Sequence, residues 1–425
     1  MGFLDLYEDL AKSGEPPQKV LQEQFGLFQE WVFHHPDELF AELRSKKPIF
    51  VMAGPAPAVV TRFSDVVEVT GQDGVFSVKP FALTNGVIFG GANFLLGMED
   101  GPQYEFEVSA LRLAVRRTDL DTIRSFVAGN AKALTDAAAP AGTLDITDGF
   151  ARRIPLQVAG QYFGVPGPDL ATLGNWIRTA FIELFLNFNN DPAITAAGAQ
   201  VGKDFRAYVD GLIAERRAAG GPAKDDILGR LLAAQCDPAT SLNDERLRDN
   251  IVGLLFGMID NTHAGVVNTM DILFKNPAKL EAAVAAAKAE DPELLYPFVR
   301  EAMRFRPPAP VLVRLTIQDY VLAKGTDRET KIPAGKVVFA ANASAMMDET
   351  ELDNPHEYDE TRPPYQYLLF GWGLHKCFGR FISPVQITEI VRSLLVLPNI
   401  RRASGPAGEL VYDGFFPKSF TVDFG

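Results

Sequence analysis

Cysteine is nearly absent: the 425 residues contain two, Cys236 and Cys377. Two thiols so far apart in sequence make no disulfide framework, and a reducing, cytoplasmic setting is expected. No run of eighteen apolar residues occurs, so no membrane-spanning helix is expected. Basic residues number 41 against 54 acidic ones, and the net charge of −13 argues against a nucleic-acid partner. Internal repeats and low-complexity tracts are missing as well. The opening stretch "MGFLDLYEDLAKSGEPP" lacks the apolar core of a secretory signal, and Leu6 stands where a myristoylation site would need Ser or Thr.

What is present is an ordinary folded composition, 47 % apolar, with an abundance of phenylalanine, 31 residues, that suits either a core or an apolar pocket. Early in the chain "PIFVM" and "AVVTRF" flank the Gly/Pro turn "AGPAP" and predict a hairpin. From residue 104 to about 295 amphipathic stretches predict helices, among them "LDTIRSFVAGNAKALTDAA" and "VGKDFRAYVDGLIAERRAA", the latter stopped by Gly220 and Gly221. Short strands return after residue 305 in "APVLVRLTI" and "GKVVFAANA", and "SPVQITEIVRSLLVL" is a last helix. The linker candidates "GEPPQ", "AAGGPAK" and "DETRPPYQY" are too short to part domains. One large domain, residues 1–425, mainly α with small β-sheets, is the expectation.

Cys377 lies in "FGWGLHKCFG", residues 370–379. Gly371 and Gly373 permit tight turns and close approach to a flat object, and Gly379 does the same beyond the sulfur. The helical stretch that follows would put the thiol at a helix N-terminus, where a thiolate is stabilised, with Lys376 and His375 adding positive charge. A metal is the natural acceptor of a thiolate, and one sulfur suits haem iron better than zinc, which needs three more ligands. A free, buried cysteine after a loop is the plain alternative.

Two further patterns stand upstream. In "VREAMRFRPPAP", Glu301 and Arg304 are three apart and share a helix face; such pairs are usually solvated and weak. "DNIVGLLFGMIDNTHAGVVNTMDILF" is apolar nearly all round and predicts a buried central helix. Gly257, Asn261 and Gly265 recur at i, i+4 and i+8 on it, which makes either a helix-packing groove or a small-residue face for a macrocycle.

The spacing Phe370-Gly371-x-Gly373-x-His375-x-Cys377-x-Gly379 resembles the haem-ligand loop of cytochrome P450 enzymes at every signature position. Glu301, Arg304 and the later Arg362 in "YDETRPP" resemble the buried triad that holds this loop in the family, and the central helix resembles its oxygen-side helix. The resemblance covers most of the chain. It implies the P450 fold, with haem b between the long central helix and the cysteine-loop helix, and Cys377 as the iron's axial ligand. It implies Arg314, in "PVLVR", and His375 as partners of the haem propionates, and Phe370, Gly371, Gly379 and Gly257 as further haem contacts. It also implies insertion of one oxygen atom from O2 into an apolar small molecule, by hydroxylation or epoxidation. Electrons would come from a separate ferredoxin and reductase, since no such module fits in this length. Lys376, Arg380, Arg112, Arg116 and Arg117 would steer that acidic donor.

The chain departs from the family pattern twice. An acid followed by threonine is usual in the central helix; here Asp260 is followed by Asn261, and Thr262 comes one residue later. A one-residue shift turns a side chain about 100° round a helix, so Thr262 does not take over simply. Asn261 both donates and accepts hydrogen bonds and is either a proton-relay substitute or a substrate anchor. The second role belongs to isomerases or lyases that rearrange lipid peroxides without a redox partner; a haem-binding sensor without turnover is a third class. In "EDGPQYEFEVSALRLAVRR", Tyr104 and Val108 stand where the family commonly has His or Trp and then Arg, both on propionates; Tyr104 can still donate a hydrogen bond, and Arg112, on the same face two turns on, is the other haem-contact candidate.

Position assigns the pocket walls. The loop "TNGVIFGGANFLLG", with Ile88, Phe89 and Phe94, reads as a mobile lid; "FIELFLNFNN" supplies Phe181, Phe185 and Phe188; Val311, Leu312 and the turn residues Phe415 and Phe416 complete the set. Helix core is the plain alternative for each. His263 reads as a core or surface histidine, and His34 and His35 carry no signal.

Overall fold

The hairpin expected between "PIFVM" and "AVVTRF" forms, with Ile49–Val51 antiparallel to Ala58–Val60 in the register Ile49↔Val60. Its turn is held by a buried ammonium: Lys336 Nζ donates to the carbonyls of Met52, Gly54 and Ala56 at 2.7, 2.8 and 2.9 Å. Three acceptors satisfy all three N–H groups of a lysine, which makes its burial tolerable. The computed structural model describes residues 1–187, 189–220 and 224–425; Phe188 and Gly221 lie outside them. The described residues group into two compact units, 1–80 with 304–377 and 81–303 with 378–425. None of the three crossings between them coincides with the candidate linkers.

The first unit carries a five-stranded sheet. Its order is Ile49–Val51, Ala58–Val60, Val337–Ala340, Leu312–Thr316, Phe76–Ser77, with Ala58–Val60 and Val338–Ala340 parallel and the other pairs antiparallel. The two later strands are the ones read from "GKVVFAANA" and "APVLVRLTI". Ile49, Val60, Val66, Val69, Phe76 and Val338 pack into one apolar cluster with the helix Phe63–Gly71.

The second unit is built round the helix Asp244–Phe274, 31 residues and about 46 Å long at 1.5 Å per residue. It starts five residues before the stretch read from the sequence. Asn243 caps it, accepting from Arg246 N at 2.9 Å. Most of its positions are buried, as an all-round apolar sequence requires. The helices Leu120–Ala138 and Ile382–Leu395 match their expected stretches, and Pro192–Ala219 ends at Gly220 with φ +61°. The supposed lid is different. Lys79–Phe89 is a helix, and Ile88, Phe89 and Phe94 are buried core residues. A Cβ on Gly202 would lie 2.2 Å from Ile88 O, Arg206 donates to Phe89 O at 3.1 Å, and a Cβ on Gly253 would fall 2.2 Å from the Phe94 ring. The apolar content that hinted at a lid was core packing against two long helices. The architecture is mainly helical with small sheets, as expected. Among the described residues no helix is long and apolar enough to cross a membrane.

Candidate functional site: the cysteine loop and the central helix

In the first unit the loop before Cys377 is shaped by two left-handed glycines, Gly371 at φ +68° and Gly373 at φ +75°. Cys377 N donates to Phe370 O at 2.8 Å and closes the loop. A Cβ on Gly373 would sit 2.1 Å from the carbonyl oxygen of Thr70, at the end of the helix Phe63–Gly71. Gly373→Ala is therefore expected to cost about 3 kcal/mol or more, from left-handed strain plus a backbone clash. Denaturant unfolding checks this; an unchanged midpoint would contradict it.

The thiol of Cys377 is exposed, which removes the reading of a buried structural cysteine. It is not at the helix N-terminus. The helix begins at Ile382, and its first turn is anchored on the carbonyl of Gly379, which accepts from Ile382 N at 3.0 Å and Ser383 N at 2.8 Å. Helix-end fields fade within one turn, so the residues between 377 and 382 weaken the dipole argument. Among the described residues no cluster of three or more His, Cys, Asp or Glu could hold a metal ion.

Beside the loop, Arg314 is buried and donates to Val313 O at 2.9 Å. His375 has only 5 % of its side chain exposed and lies 3.9 Å from Asp73. Burial, and then the nearby Arg314 guanidinium, push its pKa down to about 4. The imidazole is neutral at pH 7, with a single proton on its two ring nitrogens. Leu312 Cδ1 would be 3.5 Å from a Cβ on Gly371. Phe370 and Val311 are half-buried.

Glu301, Arg304 and Arg362 are all buried, so a solvated surface pair is excluded. Arg304 donates to Met346 O at 2.9 Å and Glu357 O at 3.2 Å. Arg362 donates to Asp353 O at 2.9 Å and Asn354 O at 3.3 Å. Two buried guanidiniums thus pin the irregular stretch 346–357 by its carbonyls, a structural duty.

In the second unit the central helix opens at one place. Gly257 is exposed and Asn261 half-exposed amid buried neighbours, and a Cβ on Gly257 would meet nothing within 4 Å. Gly265 does not continue the opening. A Cβ there would lie 2.8 Å from Ile387, so the packing-groove reading holds at that end of the stripe. Asn261 Nδ2 donates to Gly257 O at 2.8 Å, the i−4 contact a helical Ser or Thr hydroxyl often makes. Its second N–H and its Oδ1 stay available. Thr262 is buried with no hydrogen-bond partner for Oγ1 among the described residues.

Asp260 is buried and doubly paired. Arg152 Nε donates to Oδ1 at 2.7 Å; Arg178 donates to Oδ1 through Nη2 at 2.9 Å and to Oδ2 through Nε at 3.2 Å. Burial alone would raise its pKa, but the two guanidiniums outweigh burial and hold it below the usual carboxylate value. His263, one turn on, is fully buried, and neither ring nitrogen has a partner among the described residues. Neither arginine was singled out from the sequence, because 82 and 108 residues separate them from Asp260. The available signal was a lone arginine inside the apolar run "NWIRTAFIELF".

Phe181, Phe185 and Phe416 do come together, with centroids 4.6 Å (Phe181–Phe185) and 5.3 Å (Phe181–Phe416) apart. Phe81, missed in the sequence, joins through Phe185 at 5.9 Å. Phe415 is half-buried in the turn between Val411–Asp413 and Phe416–Ser419. Tyr104 is buried. Arg112 is exposed and lines a surface depression with Arg116, Arg117, Arg380, Phe378 and Phe381. Arg117 and Arg380 stack on Phe381 at 3.7 and 4.6 Å.

Residues 173–396, more than half of the chain, match the family model "Cytochrome P450". The chain belongs to the cytochrome P450 family. It is 30 % identical to the erythromycin C-12 hydroxylase of Saccharopolyspora erythraea over 59 % of this chain and 60 % of that protein. It is 27 % identical to the mycinamicin IV hydroxylase/epoxidase of Micromonospora griseorubida over 85 % of this chain and 88 % of that protein. The crystal structure of CalO2 superposes with a TM-score of 0.79 at 22 % identity, covering 92 % of this chain and 96 % of that one, a likeness of fold. As a P450 the protein is a monooxygenase of the haem-thiolate class.

Proposed function

We propose that this P450 binds haem b through Cys377 and inserts one oxygen atom from O2 into an apolar small molecule, by hydroxylation or epoxidation. The observation that carries the reading is the exposed thiol at the end of a loop bent by Gly371 and Gly373 and closed on Phe370 O. The donor set fits the group. Arg314 and His375 form a buried guanidinium beside a neutral imidazole, suited to propionate oxygens. In the second unit a Cβ on Gly257 would meet nothing within 4 Å, which leaves that face of the central helix bare. Tyr104, Phe370 and Gly379 carry over from the resemblance as further haem contacts. Arg112 is better read with the surface arginines. We treat residues 1–425 as one catalytic domain. Two unbridged cysteines fit a reducing, cytoplasmic setting.

When bound, the haem would supply the oxygen chemistry, with Cys377 as the residue that would hold it; the chain's own residues manage protons, water and substrate. Asp260 stays ionised at neutral pH under Arg152 and Arg178. Asn261 holds itself to Gly257 O with one N–H and keeps the other, with Oδ1, to position a water. That geometry favours the relay over the substrate anchor, because it reproduces the back-bond of a helical hydroxyl. Thr262, buried and turned from the opening, has no part in it. Phe81, Phe181, Phe185 and Phe416 form an apolar wall, so the substrate is apolar; Val311, Leu312 and Phe415 are supporting wall candidates. Ile88, Phe89 and Phe94 leave that set. The cluster Arg112, Arg116, Arg117 and Arg380 offers charge complementary to an acidic ferredoxin.

The test follows oxidation of reduced nicotinamide with a surrogate ferredoxin pair, against turnover of an added lipid hydroperoxide. Asn261→Ala is expected to raise the ratio of hydrogen peroxide to product roughly 10-fold or more. Reductant-free rearrangement of the hydroperoxide, lost in Asn261→Ala, would instead establish the isomerase.

A further inference from the structure

Phe416 is more than wall. Its ring packs edge-on against Phe181 on one side, while the Arg178 guanidinium carbon lies 3.8 Å from its centroid. Arg178 has two carboxylates within reach. Asp260 is fully buried at 2.9 Å; Asp148, in the short π-helix Thr147–Ala151, is 61 % exposed at 3.8 Å. A guanidinium 23 % exposed on a single helix is not confined to the first by burial alone. The ring supplies the second constraint, a cation–π seat that fixes the plane of the fork.

The division of labour at Asp260 makes that seat matter. Arg152 bonds Oδ1, and among the described residues Oδ2 is reached by Arg178 Nε. If Arg178 turned to Asp148, Oδ2 would be a buried carboxylate oxygen without that donor, the condition in which a carboxylate takes up a proton. We propose that Phe416 is a positioning residue that seats Arg178 on Oδ2 of Asp260. The ring thereby keeps that oxygen paired with a guanidinium. This rests on the reading that Asp260 serves proton delivery. The charged and titratable groups round Asp260 are Arg152, Arg178, Asp148 and, on its own helix, His263.

The experiment uses the holoenzyme and needs no substrate. The Asp260 carboxyl band in the infrared is identified by its loss in Asp260→Asn and titrated in the wild type, Phe416→Leu, Phe416→Met and Phe416→Tyr. Leu and Met remove the ring while keeping an apolar side chain, and are expected to raise the proton affinity of that carboxyl roughly two- to fivefold. Tyr retains the ring and the wild-type midpoint. A second readout, the acid-unfolding midpoint, should shift up in pH for Phe416→Leu and not shift when Asp260→Asn is already present. An unmoved carboxyl midpoint in both ringless variants, or an equal unfolding shift in the Asp260→Asn background, would reduce Phe416 to packing. Failure of the delivery reading looks different. Asp260→Asn would then leave the pH profile of coupled turnover unchanged while the ringless variants still moved the carboxyl midpoint.

Discussion

Cys377→Ser is expected to abolish the thiolate-shifted absorption band of the reduced, carbon-monoxide-bound protein and to lower monooxygenation on the order of a thousandfold or more, with the fold retained. The expectation follows from the ligand chemistry. A serine oxygen does not donate electron density as a thiolate does, and no second thiol is near in sequence, the other cysteine being Cys236. Because the side chain is exposed and the loop is closed through the backbone N–H of residue 377, the substitution leaves the loop's own hydrogen bond in place. Far-ultraviolet circular dichroism and the carbon-monoxide spectrum, taken on the same sample, decide it. A folded Cys377→Ser protein with an unaltered band would remove the iron–sulfur assignment.

The second large effect is acid lability seated at His263. Burial, only partly offset by the Asp260 carboxylate and reinforced by Arg178 and Arg152, pushes its pKa down to about 3 from 6.5. The folded state therefore holds a neutral imidazole while the unfolded chain takes up a proton below pH 6.5. Stability is full above that value and falls as the pH drops toward 3, by about 2 kcal/mol at pH 5 and about 5 kcal/mol at the limit. His263→Phe removes the titration together with two buried nitrogens that lack partners among the described residues. Denaturant unfolding of the holoprotein at pH 7 and pH 5 should show the wild type losing about 2 kcal/mol more than the variant. Equal losses in both would contradict the assignment. Asp260 has a depressed pKa of its own, so its contribution is present above the ordinary carboxylate range and is lost only at lower pH still.

Local chemistry was legible in the order of residues alone. Two glycines with positive φ and a cysteine at fixed spacing describe a loop by themselves, since only glycine takes that backbone without strain. Apolar periodicity located the helices Leu120–Ala138 and Ile382–Leu395 to within a residue or two, because burial of one face repeats with the helical turn. Glycine content located only part of "TNGVIFGGANFLLG": residues 90–94 are loop, but residues 84–89 continue a helix and Ile88, Phe89 and Phe94 are buried. Its glycines suggested a loop, but its contacts are with Gly202 and Gly253 far along the chain, and those contacts, not local propensity, decided its fate. The dipole argument at Cys377 failed for a related reason: sequence periodicity does not say where the first helical hydrogen bond closes, and here Gly379 sets it past the sulfur.

What the sequence by itself determined is the bend of the glycine loop that ends at Cys377 and the apolar character of the long central helix. Those are matters of residue type and short spacing, governed by backbone sterics and side-chain periodicity. Only the tertiary structure decided that Asp260 answers to Arg152 and Arg178, that Gly265 is packing while Gly257 is open, and that Phe416 lies under a guanidinium. Charge pairing and ring stacking act through space over a few ångströms, and partners a hundred residues apart leave no mark on one another's neighbourhood in the chain.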